Sequence, residues 1–300
     1  MKTKLLLGAL ILITIGMVFM LVAAFKNNPQ QGSLNLFQQN FLSAISQQVT
    51  GNLALTQIKS PAQVSLEDLG EISPVAGMVT IVQDVLTIRE SDLEYEYIEI
   101  RANKRNAQPI NISNWSIQSM VSDSWVSIPQ GTRTYTAGVV NDIADIYLNP
   151  GESAIIATKV SPIGVSFREN SCSGFLGSTQ KFVPALRSSC IDPQSVLTPT
   201  IDTIKKYGDA CIAFVENMRA CTYASSDMPG VENLSDACLE YIQPLFTYNG
   251  CVDRLGETDS FYDGKKWRIF LGQSERLWKD NYEVIRLLDE DKRTVDVFNY

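Results

Sequence analysis

A chain of 300 residues with no histidine, six cysteines and a net charge of −8 has a narrowed chemistry before any element is placed. Without an imidazole, Ser-His-Asp and Cys-His arrangements are excluded, and acid–base work near neutral pH falls to carboxylates, Lys or Tyr. The 33 acidic residues outnumber the 25 basic ones, which disfavours nucleic acid as a partner unless a local basic patch exists.

The chain opens Met1-Lys2-Thr3-Lys4, followed by an uncharged run from Leu5 to Phe25 that ends at Lys26. As a helix, that run is roughly 31 Å long and matches the ~30 Å hydrocarbon core of a bilayer. A membrane anchor is therefore expected over 1–26, with residues 5–25 in the lipid bilayer. The basic residues ahead of the run predict a cytoplasmic N-terminus and an extracytoplasmic 27–300, single-pass at the cell membrane. A cleaved signal peptide is the competing reading. Its apolar core is usually ~7–15 residues, shorter than this run, although Leu21-Val22-Ala23-Ala24 resembles a weak cleavage site. Without Lys2, Lys4 and Lys26, the remainder carries 22 basic and 33 acidic residues, a net charge of −11.

Residues 27–75 read as a juxtamembrane spacer and an amphipathic helix. Leu34, Phe37, Phe41, Leu42, Ile45 and Val49 form one apolar face, and Gly51 ends it. From Val79 the texture turns to β, with short runs rich in Val, Ile, Tyr and Thr between turn residues. The clearest are Val79–Ile88, Glu94–Ala102, Ile110–Met120, Ser124–Ile128, Ile143–Leu148 and Ser153–Val160. This spacing predicts a β-sandwich or barrel.

All six cysteines lie between Cys172 and Cys251, inside a stretch (168–262) that reads as a cysteine-rich helical insertion. An even number in an external segment predicts three disulfides. Zinc fits poorly, because there is no histidine and no Cys-x-x-Cys pair. Cys211, Phe214, Val215 and Met218 recur at helical spacing behind Asp209 as N-cap, and a second helix starts near Ser235 with Cys238, Leu239 and Ile242 buried. A helical hairpin broken at Met228-Pro229-Gly230 predicts nested pairs, Cys221–Cys238 inside Cys211–Cys251, which leaves Cys172–Cys190. With few large apolar residues, the insertion is expected to depend on these bridges. The β pattern then returns at Lys266–Leu271 and in a hairpin of Tyr282–Leu288 with Thr294–Tyr300.

A family resemblance rests on ordered signatures. Tyr97-Ile98-Glu99-Ile100-Arg101 and Ile110-Asn111-Ile112-Ser113-Asn114-Trp115-Ser116-Ile117 resemble the opening strands of a lamin-tail domain. Ile128-Pro129-Gln130-Gly131-Thr132 and Leu148-Asn149-Pro150-Gly151-Glu152 match its next signatures. Val284 to Asp289 with Thr294 to Tyr300, including Asp296, match its last hairpin. The chain also resembles membrane-anchored bacterial surface proteins of unassigned function that carry this domain. The resemblance implies a mainly β, immunoglobulin-like sandwich over 76–167 and 263–300, interrupted by the 168–262 insertion. Tyr97, Glu99, Trp115, Pro150, Gly151 and Asp296 are then core and turn positions. No catalytic, cofactor or metal residue follows from it.

The carboxylate groups Glu94/Glu96/Glu99 and Asp289/Glu290/Asp291 sit in strand and turn contexts where solvated surface is the ordinary reading. Calcium at Asp289–Asp291 with Asp296 is a weaker possibility. No enzyme and no cofactor are expected. The leading expectation is a membrane-anchored, extracytoplasmic, non-catalytic binding or structural protein. Its partner would be an unidentified protein or a cell-envelope polymer. The alternative is a cell-wall polysaccharide-binding module, with Trp125, Tyr135, Trp267 and Trp278 lining one groove, and a carboxylate hydrolase is a more distant one.

Overall fold

In the computed structural model, the residues described are 70–82 and 92–300. The expected membrane run over 5–25, the amphipathic helix over 34–49 and the end of the first predicted strand lie outside them. Among the described residues no helix is long and apolar enough to cross a membrane.

The chain is β-rich. A five-stranded sheet has the order β1 (Val79–Ile81), β2 (Tyr97–Ala102), β7 (Ser153–Ala157), β9 (Lys266–Phe270), β8 (Phe167–Arg168). A four-stranded antiparallel sheet has the order β11 (Thr294–Asn299), β10 (Val284–Leu288), β4 (Ser116–Ser119), β5 (Trp125–Ser127). A two-residue ladder joins β3 (Ile110–Asn111) to β6 (Tyr147–Leu148). Alternation drives the arrangement. Ile98, Ile100, Ile156 and Ile269 of the larger sheet meet Ile117, Ile285, Leu287 and Val295 of the smaller one in a shared apolar cluster. Each such side chain contributes roughly 1.5–3 kcal/mol when fully buried.

Strand β7 departs from alternation, because all five of its residues are buried. Its second face lies against a helical layer, where Ala157, Phe167 and Phe270 join a cluster containing Phe175, Phe246, Tyr248 and Phe261. Strands β7 and β9 run parallel, Ser153 opposite Lys266. Parallel neighbours need a long crossover, and the cysteine-rich stretch is that connection.

Its helices are α1 (Ser173–Thr179), α2 (Pro193–Val196), α3 (Ile201–Tyr207), α4 (Asp209–Asn217), α5 (Asp236–Leu245) and α6 (Tyr248–Leu255). Ser235 caps α5 as expected, accepting from the Cys238 N–H at 3.2 Å. At α4 the cap is Gly208, and Asp209 is the first helical residue. The insertion is not poor in apolar side chains: its cluster is as extensive as that of the sheets.

The expected disulfide connectivity is corrected. The bridges are Cys172–Cys251, Cys190–Cys221 and Cys211–Cys238. Cys211 and Cys238 each sit in the first turn of their helix, so α4 and α5 are joined near their N-terminal ends. Loop lengths between cysteines do not encode which helix ends meet, and the nested scheme holds only for a simple hairpin.

The expected strand Ile110–Met120 is also corrected. Asn114 has φ 67°, and the Asn111 side chain accepts from the Ser113 N–H at 2.9 Å, so a turn separates β3 from β4. Trp115 lies at the exit of that turn rather than within a strand, and it is still buried. Pro150-Gly151 makes the tight turn before β7, with Gly151 at φ 81° and its N–H donating to Ala102 O at 3.1 Å.

Candidate functional site

The six signature residues do not converge on one site. Tyr97 packs on the helical cluster, whereas Trp115 fills the core between the sheets. Glu99 pairs with Arg101 at 3.2 Å and Lys266 at 3.4 Å. Burial pushes its carboxyl up, but the Lys266 charge, a Ser153 hydrogen bond and Arg101 bring it below the ordinary value. Asp296 accepts from the Ile81 N–H at 2.7 Å and so ties β11 to β1; burial raises its pKa.

The expected aromatic groove does not form. Trp267 and Trp278 are buried, and Tyr135 packs on Phe167 and Tyr248. Only Trp125 of the four is exposed, with the Lys292 ammonium 4.6 Å from its ring centroid. The carboxylates are likewise engaged. Glu96 accepts from Arg276 Nε at 2.9 Å and the Leu277 N–H at 2.7 Å. Asp289 accepts from the backbone N–H groups of Asp291 and Arg293 and from Arg293 Nε, closing its own hairpin. These donors occupy the oxygens that calcium would need, and among the described residues no cluster of potential metal ligands occurs.

Two buried ion pairs lie on the large sheet. Arg168 pairs with Glu152, and Arg268 pairs with Glu169, with all four residues buried. Arg268 also donates to Pro184 O at 2.6 Å and Ala185 O at 3.0 Å, anchoring the segment that follows α1. Such pairs need further hydrogen bonds to offset desolvation, and those two carbonyls supply them.

That anchored segment forms one wall of a cleft of about 500 Å³. Three cations line it and no carboxylate does: Lys181 and Arg187 from the segment after α1, and Arg219 from the turn after α4. Gln180, Ser188 and Thr222 add polar groups. Lys181 reaches Glu94 at 3.1 Å outside the lining. Among the described residues, the Arg187 and Arg219 guanidiniums make neither a hydrogen bond nor an ion pair.

The Cys190–Cys221 bridge links the two segments. Cys190 follows Arg187 by three residues, and Cys221 follows Arg219 by two. Two arginine-bearing segments distant in sequence thereby line one cleft. Cys221 adopts φ 63°, a conformation costly for a residue with a Cβ. Gly174, at the start of α1, packs directly on the bridge: a Cβ there would collide with both sulfurs and with Ser189 O. In the sequence these cations are isolated surface charges. The only local signal was a cysteine close behind each arginine.

No family model, curated protein or solved structure matches this chain.

Proposed function

We propose that this chain is a membrane-anchored, extracytoplasmic recognition protein that carries out no catalysis. In this reading the two sheets are a lamin-tail-like, immunoglobulin-like sandwich, and the cysteine-rich crossover is its binding element. The observation that carries it is the pairing of all six cysteines into three bridges, which form and persist in oxidising compartments. The cleft on the stapled layer supports recognition, and the engagement of Glu96, Glu99 and Asp289 in internal contacts argues against a carboxylate hydrolase. The burial of Trp267 and Trp278 argues against polymer stacking in an aromatic groove.

The test is a protease added to intact cells, followed by non-reducing peptide mapping of the full chain. Digestion of 27–300 from outside and three mapped bridges are expected. Protection in intact, energised cells, or six free thiols, would overturn the reading.

A further inference from the structure

We infer that the cleft between α1, the segment after it and the turn after α4 is a binding site for a phosphomonoester group. Arg187 and Arg219 are its principal ligands and Lys181 an auxiliary one. The inference rests on the recognition reading and names the chemistry that the site would recognise.

The charge pattern argues for an anion. On a chain with eight more acidic than basic residues, a cleft lined by three cations and no carboxylate is a local reversal of sign. Lys181 is partly neutralised by Glu94, whose carboxyl is held below its ordinary value first by the Lys181 hydrogen bond. The Arg187 and Arg219 forks have no such partner among the described residues. Guanidinium forks match carboxylate and phosphate oxygens in bidentate geometry. Two of them with a nearby ammonium suit a group carrying about −1.5 to −2 charges, as a phosphomonoester does at neutral pH.

The construction argues that the site is preformed. The Cys190–Cys221 bridge fixes the two arginine-bearing segments against each other, Gly174 lets α1 approach the bridge, and Arg268 anchors Pro184 and Ala185 on the large sheet. Backbone segments fixed before the ligand arrives leave it only the two arginine side chains to order. Size sets the ligand class. About 500 Å³ falls within the ~300–1,000 Å³ range of small-molecule sites, so there is room for a small carrier beside the phosphate. The acidic surface elsewhere repels a long polyanion, which favours a compact ligand over nucleic acid.

The experiment is calorimetric titration of the full chain in a neutral detergent at low ionic strength, with inorganic phosphate and a hexose monophosphate as separate probes. Binding of either supports the site; a preference for the hexose phosphate identifies a carried group, and equal binding identifies free phosphate. Arg187→Ala and Arg219→Ala should each weaken binding about tenfold, and together should abolish it, because charge-assisted hydrogen bonds are lost. Arg254→Ala lines a different cavity and should change binding less than about twofold if the effect is local rather than a matter of net charge. Unchanged near-UV circular dichroism and the absence of free thiols establish that the variants are folded. Failure of both probes to bind, an unaffected double variant, or an equal loss in Arg254→Ala would overturn the assignment. A parallel pull-down from envelope material separates the two readings. Retention by the parent with no probe binding removes the cleft assignment and leaves recognition standing, whereas no retention of any material, together with no probe binding, removes both.

Discussion

Cys190 and Cys221 are only partly buried, whereas the other four cysteines are fully buried. Thiol–disulfide exchange requires in-line approach of a thiolate to sulfur, so access ranks the three bridges. During titration with a small dithiol, thiols at 190 and 221 should be alkylated first, with Cys172–Cys251 and Cys211–Cys238 opening only near global unfolding. Differential alkylation read by peptide mass distinguishes this from simultaneous opening, which would mean that access is not the governing factor. The same residues explain why the cleft is not legible in the sequence. Arg187 and Arg219 are distant in sequence and carry no motif, and the segments that bear them are joined by a bridge that cysteine spacing does not predict.

At the scale of elements, the β10–β11 hairpin is held by a local carboxylate. Burial pushes the Asp289 carboxyl up, but hydrogen bonds from Ser73 and from the backbone and side chain of Arg293 lower it below its ordinary value. A depressed native pKa stabilises the fold above the unfolded value of about 3.9, and that contribution disappears as pH falls through the native value. Asp289→Asn should therefore reduce stability at neutral pH, with the difference from the parent shrinking as pH drops below about 4. Asp296 acts in the opposite sense: burial raises its native pKa, so it favours the fold at low pH and opposes it as pH rises through that value. Chemical denaturation of Asp289→Asn against pH checks the sign. A difference constant down to pH 2 would mean that the carboxylate charge is not what closes the turn.

At the scale of the molecule, sheet and helical layer are joined by apolar contacts and by Arg268, which pairs with Glu169 inside the sheet and donates to the Pro184 and Ala185 carbonyls. Truncating one partner of such a pair leaves a buried charge uncompensated. Arg268→Ala should therefore cost about 3–5 kcal/mol, and it also frees the Pro184–Ala185 anchor. Arg268→Ala with Glu169→Gln should recover part of the loss. Equilibrium denaturation of both variants is the measurement, and equal stability of the single variant and the parent would place the junction outside the cooperative unit.

The sequence by itself determined what depends on near neighbours. Runs of β-favouring residues between turn signals located the strands around Ile98, Ile156, Ile269 and Ile285, Pro150-Gly151 and Asp289–Lys292 marked turns, Ser235 marked a helix start, and six cysteines in one stretch marked three bridges. Each follows from local sterics, capping or cysteine count, so each was legible. Tertiary structure decided which cysteines pair, that β7 runs parallel to β9, that Arg168 and Arg268 are buried against carboxylates, and that Arg187 and Arg219 share a cleft. These depend on which helix ends and sheet faces meet, and no periodicity in the chain records that. The interruption at Asn114 lies between the two cases. Its left-handed backbone is permitted by the sequence, but the turn exists because Ile112 and Ile117 must both enter one core on either side of Trp115.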